Sequence, residues 1–221
     1  SVVEVCGRVG GCRELRRRRE GELVWAPLGH GPSLVRRGAP IPRIVAPTRN
    51  RVRARGYETL LRTIVGQQVS FQAAASVWAK LEAARGDMTD PHAIIDASFD
   101  DLRACGLSRQ KQGYARSLAE LVKFGALDLH NLPADDEEAI ALLTQVKGIG
   151  RWSAEIYLLF AEGRPDIWPA GDLAVQEAVG RILGLGARPS EKQVRELAEP
   201  WRPHRGAAAI FSWHCYNMDV I

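Results

Sequence analysis

The stretch VKGIGRWSAEIYLLF, residues 146–160, decides how the chain is read. Before it, PADDEEAIALLTQV (133–146) opens on acids, which suit the positive end of a helix, and continues with apolar residues at helical spacing. After it, Trp152 leads a second apolar run. Between them stand Lys147, Gly148, Ile149, Gly150 and Arg151, so the pattern is helix, tight turn, helix. The two glycines allow positive φ and leave no side chain in the way. Amides at the start of the second helix can then meet an anion such as a phosphate, and Lys147 and Arg151 add positive charge beside it. The turn's carbonyls are also candidates to hold a monovalent cation that bridges to a phosphate. An ordinary αα-turn ending in a glycine cap uses the same letters. Ile149 and the flanking charges favour phosphate binding.

Working outward, helix follows helix. YETLLRTIV (57–65) places Tyr57, Leu60, Leu61, Ile64 and Val65 at helical spacing. GQQVS (66–70) interrupts, and Ser70 can cap FQAAASVWAKLEAA. DPHAIIDA, SFDDLRACG, SRQKQGYARSLAELVKFG, GDLAVQEAVGRILGLG, SEKQVRELAEPW and RGAAAIFSWHCYNM complete the series. Strand signals are almost absent beyond residue 50, so the fold class is all-α.

Residues 1–50 differ. They are rich in Arg, Gly and Pro, with RRRR at 16–19 and GAPIPRIVAP at 38–47, and read as a basic, irregular arm. The arm is either solvated, packed on the C-terminal subdomain, or in contact with phosphates. The net charge of +4 is uneven: residues 1–55 carry +9 and the remaining 166 carry −5. Bulk charge is therefore weak support for nucleic-acid binding, and the case must rest on local motifs.

At 221 residues the chain is one large domain or two small ones. No apolar run is long enough for a membrane span, and no signal-peptide core opens the chain, so neither membrane nor secretion is expected. Cys6, Cys12, Cys105 and Cys215 lack CxxC spacing. Reduced thiols, no structural metal and a cytoplasmic or nuclear location are the expectation.

Three blocks in order, LLRTIVGQQVSFQAA (60–74), VKGIGRWSAEIYLLF and DIWPAGDLAVQEAVGRILG (166–184), resemble the helix-hairpin-helix DNA glycosylases, closest to the 3-methyladenine DNA glycosylase II type. A fourth, EPWRPHRGAAAIFSW (199–213), fits the same type. The resemblance implies two helical subdomains, a six-helix one over about residues 57–162 and a second over about 163–221, with the active-site cleft between them. It implies a monomeric base excision repair enzyme acting on double-stranded DNA that contains damaged bases. The enzyme would flip out alkylated purines and hydrolyse the N-glycosidic bond. Alternatives are another damaged or mismatched base on the same fold, or a non-catalytic DNA-binding module. The bacterial type carries an extra N-terminal sheet domain; the composition of residues 1–50 is unlike a sheet, so a shortened form made of the two helical subdomains is the expectation.

The resemblance also assigns roles. The family's catalytic aspartate falls at Asp172, 22 residues beyond Gly150, in a position that is also an N-cap by its own letters. Its carboxylate would stabilise positive charge building on the sugar. Relatives that also nick the strand carry lysine where this chain has Trp152, so no lyase activity is expected. Only Cys215 lies near the C-terminus, so no iron–sulfur cluster is expected, and no cofactor is required. Trp152, Trp213 and Tyr157 are the candidate walls of the base pocket, where an electron-rich ring attracts a cationic base. Trp25, Trp78, Trp168 and Trp201 read as packing. A pocket tyrosine of some relatives falls at Ile156. Gln67 and Gln68 stand where the family's wedge enters the duplex, and Arg109 and Lys111 are candidate phosphate contacts.

Overall fold

A computed structural model of the chain describes residues 53–217, so the arm of residues 1–50, with Cys6, Cys12 and Trp25, lies outside the described residues. Among the described residues there are ten α-helices, one short 3-10 turn and no strand. They are α1 (Tyr57–Gly66), α2 (Phe71–Arg85), α3 (His92–Ile95), α4 (Phe99–Ala104), α5 (Arg109–Lys123), α6 (Asp136–Leu143), α7 (Arg151–Phe160), α8 (Leu173–Ile182), α9 (Glu191–Leu197) and α10 (Arg205–Asn217), with the 3-10 turn at Glu199–Trp201. The chain divides into two compact units, one of Arg51–Gly163 and one that takes in everything described from Arg164 onward. The first holds seven α-helices against the six expected, the short α3 included.

In the first unit, α1 lies against α2 and α5, α5 also meets α3 and α4, and α6 packs on α7. The reason is pattern. Leu60, Leu61, Ile64 and Val65 of α1 are all but fully buried, as are Leu81 of α2 and Ala115, Leu118 and Ala119 of α5. Each large apolar side chain so buried contributes about 1.5–3 kcal/mol relative to exposure. The helix starts follow the letters: Ser70, Ser98, Ser108 and Asp135 each accept a backbone N–H of the following turn. The chain entering α1 is tied to α7, where Arg53 N–H donates to the Phe160 carbonyl (3.0 Å) and Gly56 N–H to the Tyr157 hydroxyl (2.8 Å).

In the second unit, α8 packs along α10 and meets α9. Asp166 fixes the start of α10. Its carboxylate accepts Arg205 Nε and Nη2 (both 2.8 Å) and Arg202 Nη1 (2.8 Å). Burial alone would raise the Asp166 pKa, but the Arg205 and Arg202 guanidiniums outweigh it and hold the carboxyl below the usual range. Trp168 is buried edge-on to Trp201, centroids 5.4 Å apart, and its Nε1 donates to the Val194 carbonyl. Both rings therefore serve packing, as does the buried Trp78 in α2.

Candidate functional site

The hairpin belongs to the first unit. Gly148 has φ +83, and a Cβ there would sit 2.2 Å from the Tyr114 ring, so both backbone and packing demand glycine. Gly150 is different. Its φ of −90 is open to any residue, and a Cβ would meet nothing within 4 Å. Gly150 also precedes α7 without a side-chain cap, whereas Ser or Asp caps six other helices. Neither the backbone nor the packing of the fold requires glycine at this position. Ile149, between the two, is 3% exposed and, with Val146, roots the turn in the core. Lys147 is exposed, and its N–H donates to Ser117 Oγ (3.2 Å).

Arg151 does not stand ready for a phosphate, contrary to the expectation for the basic flank. Its guanidinium grips Glu137 through Nη1 (2.8 Å) and Nη2 (2.5 Å), and its Nε bonds Glu155 (2.9 Å). Glu155 is 2% exposed, so it needs this cation. The bond to Glu137, with help from Glu155, holds the guanidinium pKa above its ordinary value. What the hairpin offers an anion is therefore the amino end of α7, with Lys147 beside it.

Trp152 occupies the first turn of α7 and is 47% exposed, an unusual position for an indole that serves only the core. Tyr157 departs from expectation. It is 3% exposed, and its hydroxyl is taken by Gly56 N–H, with burial raising its pKa. It is a core residue of its unit rather than an open ring face. Ile156 is buried as well.

The glutamines of GQQVS split. Gln68 is exposed and holds φ +55, a left-handed conformation that costs a non-glycine residue about 1–2 kcal/mol. Gln67 turns back instead, and its Nε2 donates to the Gly148 carbonyl (2.7 Å). Beyond Gln68, Val69 is 44% and Phe71 90% exposed, so the loop presents an apolar edge to its surroundings. Lys111, a candidate phosphate contact by sequence, has a partner within the protein. Its Nζ donates to the Val65 carbonyl at the end of α1 (2.8 Å), and desolvation lowers its pKa.

In the second unit the structure joins two residues that the sequence singled out separately. Asp172 is the N-cap of α8, and its Oδ1 accepts Val175 N–H (3.0 Å). The same Oδ1 accepts Nε1 of Trp213 from α10 (3.1 Å). Gln176, one turn into α8, donates to the Ala170 carbonyl (2.8 Å), and Asp172 N–H to the Pro169 carbonyl (3.0 Å). The carboxylate is thus held by a helix start, an indole and a braced approach loop. It is partly exposed.

Sequence reasoning missed Tyr114 and Ser117. Their contacts with the hairpin span 30 positions for Ser117 with Lys147 and 34 for Tyr114 with Gly148, and only their spacing with Lys111 along one face of α5 hinted at a shared task. No group of three or more His, Cys, Asp or Glu suited to a metal occurs among the described residues.

Comparisons with known proteins agree in kind. The model of the HhH-GPD superfamily base excision DNA repair protein matches residues 61–203. DNA-3-methyladenine glycosylase 1 of Schizosaccharomyces pombe is 33% identical over 171 residues, which cover 76% of this chain and 75% of that protein. A crystal structure of a DNA-3-methyladenine glycosidase from Bacillus halodurans superposes with a TM-score of 0.72 at 29% identity, over 76% of this chain and 78% of the other. The S. pombe 3-methyladenine DNA glycosylase in complex with abasic DNA superposes at 0.64 with 32% identity, over 76% and 83%.

Proposed function

Because this chain belongs to the HhH-GPD superfamily of base excision DNA repair proteins, we propose that it is a monofunctional DNA N-glycosylase for alkylated purines. It acts as a monomer on damaged duplex DNA, in the cytoplasm of a bacterium or the nucleus of a eukaryote. It releases 3-methyladenine, 7-methylguanine and similar bases and leaves an abasic site. The observation that carries the reading is Asp172, with Oδ1 fixed by Val175 N–H and Trp213 Nε1 at the start of α8.

Extrusion of the nucleotide comes first, since the glycosidic bond is out of reach inside a stacked duplex. The amino end of α7, with Lys147, Gly148 and Gly150, receives a backbone phosphate, and a monovalent cation held by hairpin carbonyls is compatible with that role. Gln68 enters the space the base leaves. Trp152 and Trp213 offer indole surface to the extruded base, and a cationic purine over such a ring gains about 0.5–2 kcal/mol.

The bond from C1′ to the base nitrogen then breaks. Its electron pair leaves with the base, which departs neutral because alkylation had made it cationic. Positive charge builds on the sugar, and Asp172 stabilises it. Water adds to C1′, and its proton passes to Asp172 and on to solvent. No lysine stands at position 152 to form an imine with the sugar, so the strand stays intact.

The test is release of free base from DNA treated with a methylating agent, by wild type and by Asp172→Asn. Asparagine caps a helix as well as aspartate does, so the variant keeps its fold. Release by wild type, and a loss of at least about 100-fold in the variant, is the expected result. No release by wild type overturns the reading and leaves a glycosylase for another damaged or mismatched base, or a DNA-binding module.

A further inference from the structure

Gln67 and Gln68 are neighbours in sequence with opposite fates. Gln68 is exposed and strained, whereas Gln67 is half-buried and bonded to a carbonyl 81 residues away. We propose that Gln67 is a positioning residue, a strut that makes the duplex-entering loop and the phosphate-binding hairpin a single rigid body. The inference rests on the glycosylase reading above.

One face of α5 underlies both structures. Lys111 donates from that face to the Val65 carbonyl in the last turn of α1. Tyr114 lies one turn on and packs against Gly148. Ser117 follows at the same spacing and accepts the Lys147 N–H. So the first half of α5 carries the loop through Lys111 and, one to two turns on, the hairpin through Tyr114 and Ser117. The Gln67–Gly148 hydrogen bond links the two directly and closes the ring of contacts. A left-handed non-glycine backbone persists only where its surroundings over-determine it. Gln67 N–H on Ile64 O, its side chain on Gly148 O and Lys111 on Val65 O supply that constraint immediately before Gln68.

The consequence is a fixed register. A phosphate seated at the hairpin sets where Gln68 enters the duplex, with no search by the loop. Small misplacements of such groups reduce rates steeply, by as much as about 100-fold for 1 Å. The strut acts only where a hole beside an orphaned partner base must be filled.

The experiment uses the full chain with Gln67→Ala and the nearly isosteric Gln67→Glu, which replaces the donor with an acceptor. Two duplexes carry the same methylated purine, one opposite its normal partner and one opposite an abasic analogue. Single-turnover base release, affinity and melting temperature are measured on each. On the normal duplex both variants should release base about tenfold more slowly, as expected for loss of one hydrogen bond felt in the transition state. Affinity of Gln67→Ala should stay within about twofold, because the hairpin's phosphate contacts remain. On the duplex with no partner base, release should recover to within about twofold of wild type. The Gln67→Glu deficit relative to wild type should shrink at acid pH, where the introduced carboxyl regains a donor proton. Wild-type rates on the normal duplex would overturn the strut and leave the glycosylase reading standing. Equal losses on both duplexes with a lowered melting temperature would also overturn it, since that marks a bond important only to the fold. If the wild type releases no base from either duplex, both readings fall together.

Discussion

Two glycines separated by one residue ought to fail in opposite ways. At Gly148, alanine must hold φ +83, which costs about 1–2 kcal/mol for a residue with a Cβ. Its methyl would also sit 2.2 Å from the Tyr114 ring, and relief of such overpacking typically costs about 1–3 kcal/mol. The sum is roughly 2–5 kcal/mol, which for a chain of this size lowers the melting temperature by roughly 5–15 °C. At Gly150 the terms nearly cancel. Alanine restricts the unfolded chain, which stabilises by about 0.4–1 kcal/mol. As an N-cap it is poorer than glycine by a similar amount, about 0.5–1 kcal/mol. The net is within about 0.5 kcal/mol, or roughly 2 °C.

Function should separate the two further. On the proposed reading the Gly150→Ala methyl would stand where a phosphate approaches the bare turn, and loss of hydrogen bonds to a charged group is worth about 1.5–3 kcal/mol. Binding to a duplex with an abasic analogue should weaken by roughly tenfold to a hundredfold while melting stays put. Fluorescence anisotropy and thermal melting on the same preparations decide the matter. Wild-type DNA affinity in Gly150→Ala would refute the idea that this glycine serves a ligand. Wild-type melting in Gly148→Ala would refute the tight seat against Tyr114.

Trp213→Phe keeps a ring but removes the donor on Asp172 Oδ1, so base release should fall about tenfold with little change in melting; an unchanged rate would sever the indole from the carboxylate's function. Asp166 titrates below its ordinary 3.8 in the folded state, so its contribution to stability is complete above that pH and is lost as pH falls through the folded value. Wild-type melting should therefore drop more steeply than that of Asp166→Asn below about pH 4, and parallel curves would contradict the ion pair with Arg205. Lys111→Met should lose about 1–2 kcal/mol of stability through the uncapped Val65 carbonyl. Because Lys111 faces protein rather than phosphate, the salt dependence of DNA binding should keep its slope, and a slope reduced by about one unit would restore the phosphate role.

Local chemistry was legible in the sequence, and long-range commitment was not. The serine and aspartate letters announced the helix starts, Asp172 among them, because a cap is satisfied by amides two or three residues away. The hairpin was legible because few residues besides glycine hold φ +83. Tyr157 was misread because an aromatic at helical spacing looks the same whether its ring faces core or ligand, and its partner, Gly56, is 101 residues distant. Arg151 was read as adding positive charge for a phosphate although Glu155 stands four residues on. The second acid, Glu137, comes from the preceding helix, and only the folded hairpin brings it near. Gln67 had no local signal at all, since its acceptor lies beyond five intervening helices.

These misreadings share a physical theme, which concerns how a chain acidic beyond its first 55 residues meets a polyanion. The obvious cation at the hairpin is neutralised by two acids and serves to brace α6 against α7. Besides Lys147, the positive potential left at the turn comes from backbone, at a helix start that bears no side-chain cap and beside a glycine that leaves open space. Backbone dipoles differ from side-chain cations in one respect that matters here. They cannot swing away, so they recognise a phosphate at one place and fix the protein's register on the strand. A mobile arginine would add affinity anywhere along the duplex. The Gln67 strut then has something definite to act on, because a rigid link between loop and hairpin is useful only if the hairpin itself holds its phosphate in one position.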